Sequence, residues 1–119
     1  MKALFKELPP FERVRSDYLT DDAYRKLQQT LLENSEAGDV IEGTGGLRKL
    51  RQPDVQRGKG KRGGLRVIYY WWLGGSQFWF FTVYNKDEAT DLSAQQRKLL
   101  RQMLKNELQY HPNTKEISP

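Results

Sequence analysis

Two long apolar runs separated by three small residues constrain the fold more than any other feature of this chain. The segments LRVIYYWWL (residues 65–73) and QFWFFTVY (residues 77–84) flank Gly74, Gly75 and Ser76. β-Branched and aromatic residues favour strands, and a short glycine-containing connection favours an antiparallel hairpin. Because both runs are almost continuously apolar, we expect them to be central strands of a sheet that is covered on both faces.

The segments before this hairpin predict one short strand and two helices. KALFKEL, residues 2–8, alternates loosely between apolar and polar residues and predicts an edge strand. Residues 10–19 place apolar side chains at helical spacing. Thr20 is a typical N-cap for a second helix that ends before Gly38. We expect these two helices to pair as an antiparallel hairpin.

The remaining elements complete an α+β domain. LRKLRQ, residues 47–52, predicts a further strand, and Ser93 with Gln96 forms a capping box for a C-terminal helix. The apolar face of that helix is predicted to consist of Leu99, Leu100, Met103 and Leu104. The predicted fold is a single domain over residues 1–119, in which the helical hairpin and the C-terminal helix pack on a small antiparallel sheet. The tail from about residue 110 is predicted to be flexible.

The composition excludes several kinds of site. The chain has no cysteine, so disulfides and thiolate metal sites are excluded, and its one histidine, His111, lies in the polar tail. A histidine-based metal site or catalytic triad is therefore not expected, and no cofactor is predicted. Charges and prolines interrupt the N-terminal stretch, and the longest apolar run, residues 67–73, is too short to span a bilayer. We expect a soluble, cytoplasmic protein with no membrane partner.

Positive charge is concentrated in one segment. The net charge is +5, and eight of the twenty Lys and Arg residues lie between residues 48 and 66: Arg48, Lys49, Arg51, Arg57, Lys59, Lys61, Arg62 and Arg66. The one acid among them is Asp54. Such clustering is typical of a surface that binds a polyanion, although a solvated basic loop without a partner is the alternative. A G-x-G-x-x-G match at Gly58 precedes a predicted strand rather than a helix, so it does not indicate a dinucleotide site.

Several of these cations are predicted to meet at one end of the sheet. In an extended strand Lys49 and Arg51 share one face, whereas Arg48 and Leu50 share the other. Arg66 opens an otherwise apolar strand, and the next strand ends in polar residues: Tyr84, Asn85 and Lys86. Polar side chains of three neighbouring strands would therefore converge. The alternative for Arg66 is a structural ion pair with Asp87 or Glu88.

Three segments in this order resemble the RelE superfamily of toxins from bacterial toxin–antitoxin pairs, in particular its HigB branch. They are AGDVIEGTGGLRKLR, GKGKRGGLRVIYYW and VYNKDEATDLS, and the resemblance extends from Tyr18 to about Leu108. It implies a microbial RNase fold and metal-independent cleavage of messenger RNA in the ribosomal A site. The ribose 2′-OH would attack the adjacent phosphate. The implied partners are messenger RNA, the ribosome and a cognate antitoxin, a HigA-like helix-turn-helix protein.

The same resemblance assigns roles to single residues. Lys49 matches a strand lysine proposed as general base, and Arg51 matches the basic position two residues further on. Arg66 matches an arginine that clamps a phosphate. Lys86 matches a basic position after the last strand, a candidate acid or charge stabiliser. The residues expected to bind RNA or the ribosome are Arg48, Lys59, Lys61 and Arg62, the last three in a mobile glycine-rich loop.

Two positions depart from the family pattern. Leu92 stands where some members carry a catalytic tyrosine, and Leu47 stands where they carry the first of two strand lysines. The general base is therefore left open, with Tyr84 as a possible substitute. Two alternative functions also remain open: a ParE-like toxin that poisons DNA gyrase, and a non-catalytic RNA- or ribosome-binding module.

Overall fold

Within the part of the chain that the structure describes, five strands form one mixed sheet and three α-helices pack against it. The computed structural model describes residues 2–60, 64–89 and 91–111. The strands are β1 (Leu4–Glu7), β2 (Asp39–Val40), β3 (Arg48–Gln52), β4 (Leu65–Trp72) and β5 (Gln77–Asn85), in the order β1-β5-β4-β3-β2. The helices are α1 (Pro9–Tyr18), α2 (Asp21–Glu33) and α3 (Ala94–Gln109). The α+β class is therefore confirmed.

The β4–β5 hairpin forms the centre of the sheet, as its apolar sequence predicts. The strands are antiparallel, and Ser76 closes the turn between them with a left-handed backbone (φ 51°). On one face, which we call the helix-pair face, Val67, Tyr69 and Phe80 pack against α1 and α2. On the opposite face, the α3 face, β4 and β5 pack against α3. The prediction that both faces are covered is confirmed.

The sheet is mixed rather than antiparallel, because β1 runs parallel to β5. The Leu4 amide donates to the Ser76 carbonyl, and the Phe5 ring stacks on Phe78 at a centroid distance of 5.2 Å. These contacts hold β1 at the edge of the sheet, as predicted. Its direction was not predictable from the local pattern, because it depends on which neighbour the strand meets and not on its own residues.

Local sequence signals account for the helix boundaries. Prolines occupy the first two positions of α1, and the Thr20 hydroxyl accepts from the Ala23 amide at 3.0 Å to cap α2. The Ser93–Gln96 capping box at the start of α3 is confirmed, with both of its reciprocal hydrogen bonds present. Within the described ranges, no helix is long and apolar enough to cross a membrane.

The apolar face of α3 differs from the prediction at one position. Leu100 and Leu104 are buried and Met103 is half-buried, but Leu99 is 63% exposed. Leu99 and Leu100 are about 100° apart around the helix axis, so one narrow stripe cannot bury both. Further along, the His111 ring lies against Trp72 at a centroid distance of 4.2 Å, and residues 112–119 of the predicted flexible tail lie outside the described residues.

We expect the free energy of unfolding to fall steeply above pH 10. Burial raises the pKa of Tyr24 and of Tyr69, whose hydroxyls donate to Glu7 and to the Ala37 carbonyl. In the unfolded chain both phenols ionise near pH ~10, whereas the folded protein keeps them protonated. Their contribution to stability is therefore complete below pH ~10 and is lost as the pH rises above it. Denaturant titrations across this range measure the effect.

The matched control is the double variant Tyr24→Phe/Tyr69→Phe, which cannot ionise at these positions. Its stability should decline less with pH than that of the wild type. Equal slopes for the two proteins would show that these phenols do not govern alkaline unfolding.

Candidate functional site

A row of polar side chains crosses three neighbouring strands on the α3 face. Arg51 of β3 is the cross-strand partner of Arg66 on β4, and Arg66 is the partner of Tyr84 on β5. Cross-strand partners point to the same face with their Cβ atoms about 4.5–5.5 Å apart. Lys49, two residues before Arg51, lies on the same face opposite Ile68. We call Lys49, Arg51 and Arg66 the cation row; the predicted convergence is present in the strand register.

Arg66 is the most buried member of the cation row. It is 4% exposed, and its Nη1 donates to the Leu65 carbonyl at 3.3 Å, whereas Arg51 is exposed. Like charges in directly opposed positions repel each other, so the Arg51–Arg66 pair favours binding of an anion between them. The two carboxylates that the sequence suggested as partners of Arg66 contact other residues. Asp87 forms an ion pair with Arg57, and Glu88 accepts a hydrogen bond from the Tyr18 hydroxyl.

Lys49 has a carboxylate within reach. Its Nζ lies 3.7 Å from Oδ1 of Asp91, which stands just before α3. Asp91 is exposed, so water screens this ion pair and a phosphate can compete with it for Lys49. Sequence reasoning did not single out Asp91, and no local signal connects it with β3.

Tyr84 of β5 lies next to the cation row, and its hydroxyl has a raised pKa. The side chain is half-buried, and its hydroxyl is buried with no hydrogen-bond partner among the described residues. Burial, and after it the negative charge of Asp91, raise the pKa of Tyr84, while Arg66 opposes the rise. A phenol that stays protonated at neutral pH donates a hydrogen bond but does not accept a proton from a substrate. The raised pKa therefore makes Tyr84 a better hydrogen-bond donor than general base at neutral pH.

The other predicted site residues lie around the row or away from it. Lys86 is exposed just after β5, and its amide donates to the Gly64 carbonyl at 3.2 Å, which joins it to the end of the β3–β4 loop. Arg48 lies on the opposite face, where it donates to the carbonyl and carboxylate of Glu36 at 2.8 Å and 3.1 Å. The side chain of Arg48 is therefore not part of the row.

Hydrogen bonds connect residues of the first half of the β3–β4 loop. Asp54 is 3% exposed and accepts from Arg57, and its backbone pairs with Lys59 in both directions. The exposed Lys59 side chain is therefore carried on a hydrogen-bonded stretch of backbone. Lys61 and Arg62 lie outside the described residues.

A close backbone contact at the end of the β3–β4 loop explains the glycine at position 64. A Cβ atom at Gly64 would lie 2.2 Å from the Gln52 carbonyl oxygen and 2.9 Å from the Asp54 amide nitrogen, so only glycine fits without a backbone shift. Asp54 was visible in the sequence as the one acid of the basic segment. Its hydrogen bonds to Arg57 and Lys59, which connect residues of the loop, were not predicted.

The two positions that depart from the family pattern belong to the core. Leu47 is fully buried and Leu92 is 7% exposed, and both pack in the cluster beneath α3. Neither side chain carries a group that could transfer a proton. The general base must therefore come from another position, if the reaction implied by the resemblance takes place.

The chemistry available at the site is that of guanidinium, ammonium and phenol groups. Among the described residues, no cluster of three or more His, Asp or Glu side chains is arranged to hold a metal ion. Two arginines side by side present planar forks of N–H donors that match the oxygens of a phosphate. No protein-family model matches the chain.

Proposed function

We propose that this protein is the toxin of a type II toxin–antitoxin system and acts as a ribosome-dependent, metal-independent endoribonuclease on messenger RNA. The observation that supports the proposal most directly is the alignment of Arg51, Arg66 and Tyr84 side by side on three strands. The resemblance to the HigB branch of the RelE superfamily supplies the reaction. On this proposal the fold is of the RelE type.

The proposed reaction needs no group beyond the chain and the RNA. The ribose 2′-oxygen loses its proton to a base and bonds to the adjacent phosphorus, while the bond from phosphorus to the 5′-oxygen breaks. The products are a 2′,3′-cyclic phosphate and a 5′-hydroxyl. Arg51 and Arg66 would stabilise the negative charge that develops on the phosphorane.

The proton transfers are assigned by position. Lys49 is the proposed base, because it lies on the same face as Arg51 and Arg66 and matches the strand lysine to which the resemblance gives that role. Lys86, exposed beside the loop end, would return a proton to the leaving 5′-oxygen or stabilise its charge. Tyr84, which keeps its proton, would donate a hydrogen bond to a phosphate oxygen or to a base.

The proposed partners follow from the resemblance and from the positive charge of the segment between β3 and β4. The exposed Lys59, with Lys61 and Arg62, would contact the backbone of messenger or ribosomal RNA. Such contacts make the affinity depend strongly on salt. The protein would act in the cytoplasm, where ribosomes are, and a neighbouring gene would encode a helix-turn-helix antitoxin that neutralises it.

The density of positive charge favours RNA cleavage over gyrase poisoning. Two arginines in cross-strand register, one of them buried, suit a phosphate group. A non-catalytic RNA-binding module would use the same cations. The experiment below separates the three functions.

We expect expression of the free protein to arrest translation and to shorten messenger RNAs at sites inside translated regions. Mapping messenger 5′ ends after induction, with translation running or blocked by an initiation inhibitor, tests this expectation. New ends should require translation, and purified ribosomes should restore cleavage in vitro. The Arg51→Ala variant should lose the new ends, whereas Arg25→Ala should keep them, because Arg25 is also an exposed cation but belongs to α2, away from the cation row.

Two outcomes would contradict the proposal. Intact messengers together with stalled DNA replication would indicate a gyrase poison. Arrested translation with intact messengers would indicate a binding module that blocks the ribosome.

A further inference from the structure

An apolar groove opens beside the cation row on the α3 face. It lies between the start of α1, the end of β5 and α3, and its volume is about 340 Å³. Pro10, Phe81, Tyr84, Leu92, Leu99 and Met103 are among the residues that line it. A volume of about 300–1,000 Å³ with mostly apolar walls and a few polar groups is typical of sites for small organic ligands.

The mouth of the groove exposes an apolar side chain. Leu99 is 63% exposed, although its neighbour Leu100 is buried in the core. A single exposed leucine is ordinary on a protein surface. Here, however, Leu99 continues the apolar wall formed by the half-buried Met103 and the buried Leu92 and Phe81. The groove therefore offers a continuous apolar surface from its floor to solvent.

Tyr84 connects the groove to the cation row. Its side chain lines the groove, and across the strands its partner is Arg66. The Tyr84 hydroxyl is buried and has no hydrogen-bond partner within the described ranges. A buried hydroxyl without a partner is unfavourable, so this atom favours a ligand that supplies a hydrogen-bonding edge.

A second polar group stands at the edge of the groove. The Gln96 Oε1 accepts from the Ser93 amide at 2.8 Å as part of the capping box, which fixes the orientation of the side-chain amide. Its Nε2 donors have no partner among the residues that the structure describes. A ligand in the groove would thus meet apolar walls, a phenol and an amide donor.

From these features we infer that the groove binds a nucleobase of the RNA strand, next to the phosphate that the cation row holds. A nucleotide joins a flat ring with polar edges to an anion, and the groove and the cation row offer the complementary surfaces side by side. Proteins that recognise single-stranded RNA stack splayed bases on aromatic side chains, and Phe81 and Tyr84 are aromatic residues that line the groove. The inference rests on the proposed function and adds a base-recognition site to it.

Charge complementarity distinguishes this occupant from a protein segment. An apolar helix from a partner or from a second copy would cover Leu99 and Met103 but would place no anion beside Arg51 and Arg66. A nucleotide uses both surfaces at once. The alternatives are outcomes of the test below.

The test uses ribosomes programmed with a messenger whose A-site codon is intact or carries one abasic nucleotide. For the wild-type protein, removing the base that occupies the groove should raise the half-saturating ribosome concentration in single-turnover cleavage by about 5- to 100-fold, as expected for the loss of one stacked base. Scanning the abasic position along the codon identifies that base.

Leu99→Glu places a charge at the mouth of the groove on an exposed position, so the fold is retained. With the intact messenger, this variant should show the same raised half-saturating ribosome concentration that the wild type shows with the abasic messenger. The variant should therefore no longer distinguish the two messengers. The matched control is Leu73→Glu, because Leu73 is 75% exposed in the β4–β5 turn at the opposite end of those strands. Leu73→Glu should behave as the wild type on both messengers.

Tyr84→Phe tests the hydroxyl alone. If the hydroxyl serves a base, the variant should lose affinity for the intact messenger but not for the messenger that is abasic at the sensitive position. A hydroxyl with no ligand would leave cleavage of both messengers unchanged, and that result would overturn the assignment of Tyr84.

The possible failures are distinguishable. In one outcome the wild type cleaves the intact messenger and every abasic messenger equally well, and Leu99→Glu cleaves as the wild type does. That result would overturn the groove inference and leave the proposed function standing. No cleavage by the wild type would overturn both. A wild-type dimer that Leu99→Glu converts to a monomer in sedimentation would assign the groove to self-association instead of RNA.

Discussion

Replacing Arg66 with Ala should reduce single-turnover cleavage of ribosome-bound messenger about 100- to 1,000-fold. Arg66 of the cation row lies on β4 between its two cross-strand partners, Arg51 on β3 and Tyr84 on β5. Removing one donor that stabilises a developing oxyanion costs about 2.7–4 kcal/mol of transition-state stabilisation. Because Arg66 is the buried cation of the row, its charge is screened less by water than that of Arg51.

The control variants separate charge, geometry and fold. Arg66→Lys keeps a positive charge but loses the planar fork of donors, so it should restore only part of the rate. Arg51→Ala should also impair cleavage without affecting the fold, because Arg51 is exposed. Thermal unfolding of each variant measures the structural contribution directly.

One combination of results would show that Arg66 is structural. An Arg66→Ala variant that melts far below the wild type, together with an Arg51→Ala variant that cleaves normally, would mean that the row does not bind phosphate. The buried guanidinium would then serve the sheet alone.

The parts of the fold that depend on local chemistry could be predicted from the sequence. The β4–β5 hairpin follows from two β-branched and aromatic runs, and the helix starts follow from Thr20 and from the Ser93–Gln96 capping box. Each of these signals acts over a few residues. The alternation of side chains along a strand also placed Lys49 and Arg51 on one face and Arg48 on the other, as the structure has them.

The parts that depend on distant contacts could not be predicted. The direction of β1 is set by its contact with β5, which lies about seventy residues away in the chain. The ion pair between Lys49 and Asp91 joins β3 to the start of α3. Neither feature leaves a pattern in the residues next to it, so periodicity and spacing do not reveal it.

The groove illustrates a third kind of failure. Helical periodicity assigned Leu99 to the buried face, and the same periodicity cannot tell a core contact from the wall of an open groove. The difference depends on what packs opposite α3 at that height, where Pro10 and the end of β5 leave a gap. An apolar residue that the helix exposes is therefore informative only once the neighbouring elements are placed.

The position of the site on the central hairpin has a consequence for function. Arg66 and Tyr84 lie on β4 and β5, the two strands that are packed on both faces. A catalytic arrangement needs side chains held within about 0.5 Å of the productive geometry, and well-packed strands hold them better than loops do. The exposed Lys59 of the β3–β4 loop lies outside the cation row, and on the proposed function it binds RNA rather than taking part in the chemistry.

Replacing Phe80 with Ala should have the largest effect on stability. The Phe80 side chain is fully buried on the helix-pair face, and its ring lies 4.9 Å from Phe11 of α1, 5.9 Å from Phe5 of β1 and 5.7 Å from Tyr24 of α2. The ring thus joins three elements to β5. Truncating a buried phenylalanine costs about 3–5 kcal/mol, which corresponds to a decrease in melting temperature of roughly 10–20 °C for a domain of this size.

The matched control and the activity of the folded fraction complete this prediction. Leu73→Ala removes an exposed apolar side chain and should change stability by less than about 0.5 kcal/mol. Because Phe80 faces away from the cation row, Phe80→Ala should lose toxicity in cells by unfolding, yet its folded fraction should cleave at the wild-type rate at low temperature. A folded Phe80→Ala protein without activity would mean that the two faces of the sheet are coupled. A loss of stability below about 1 kcal/mol would contradict the packing of the helix-pair face around this ring.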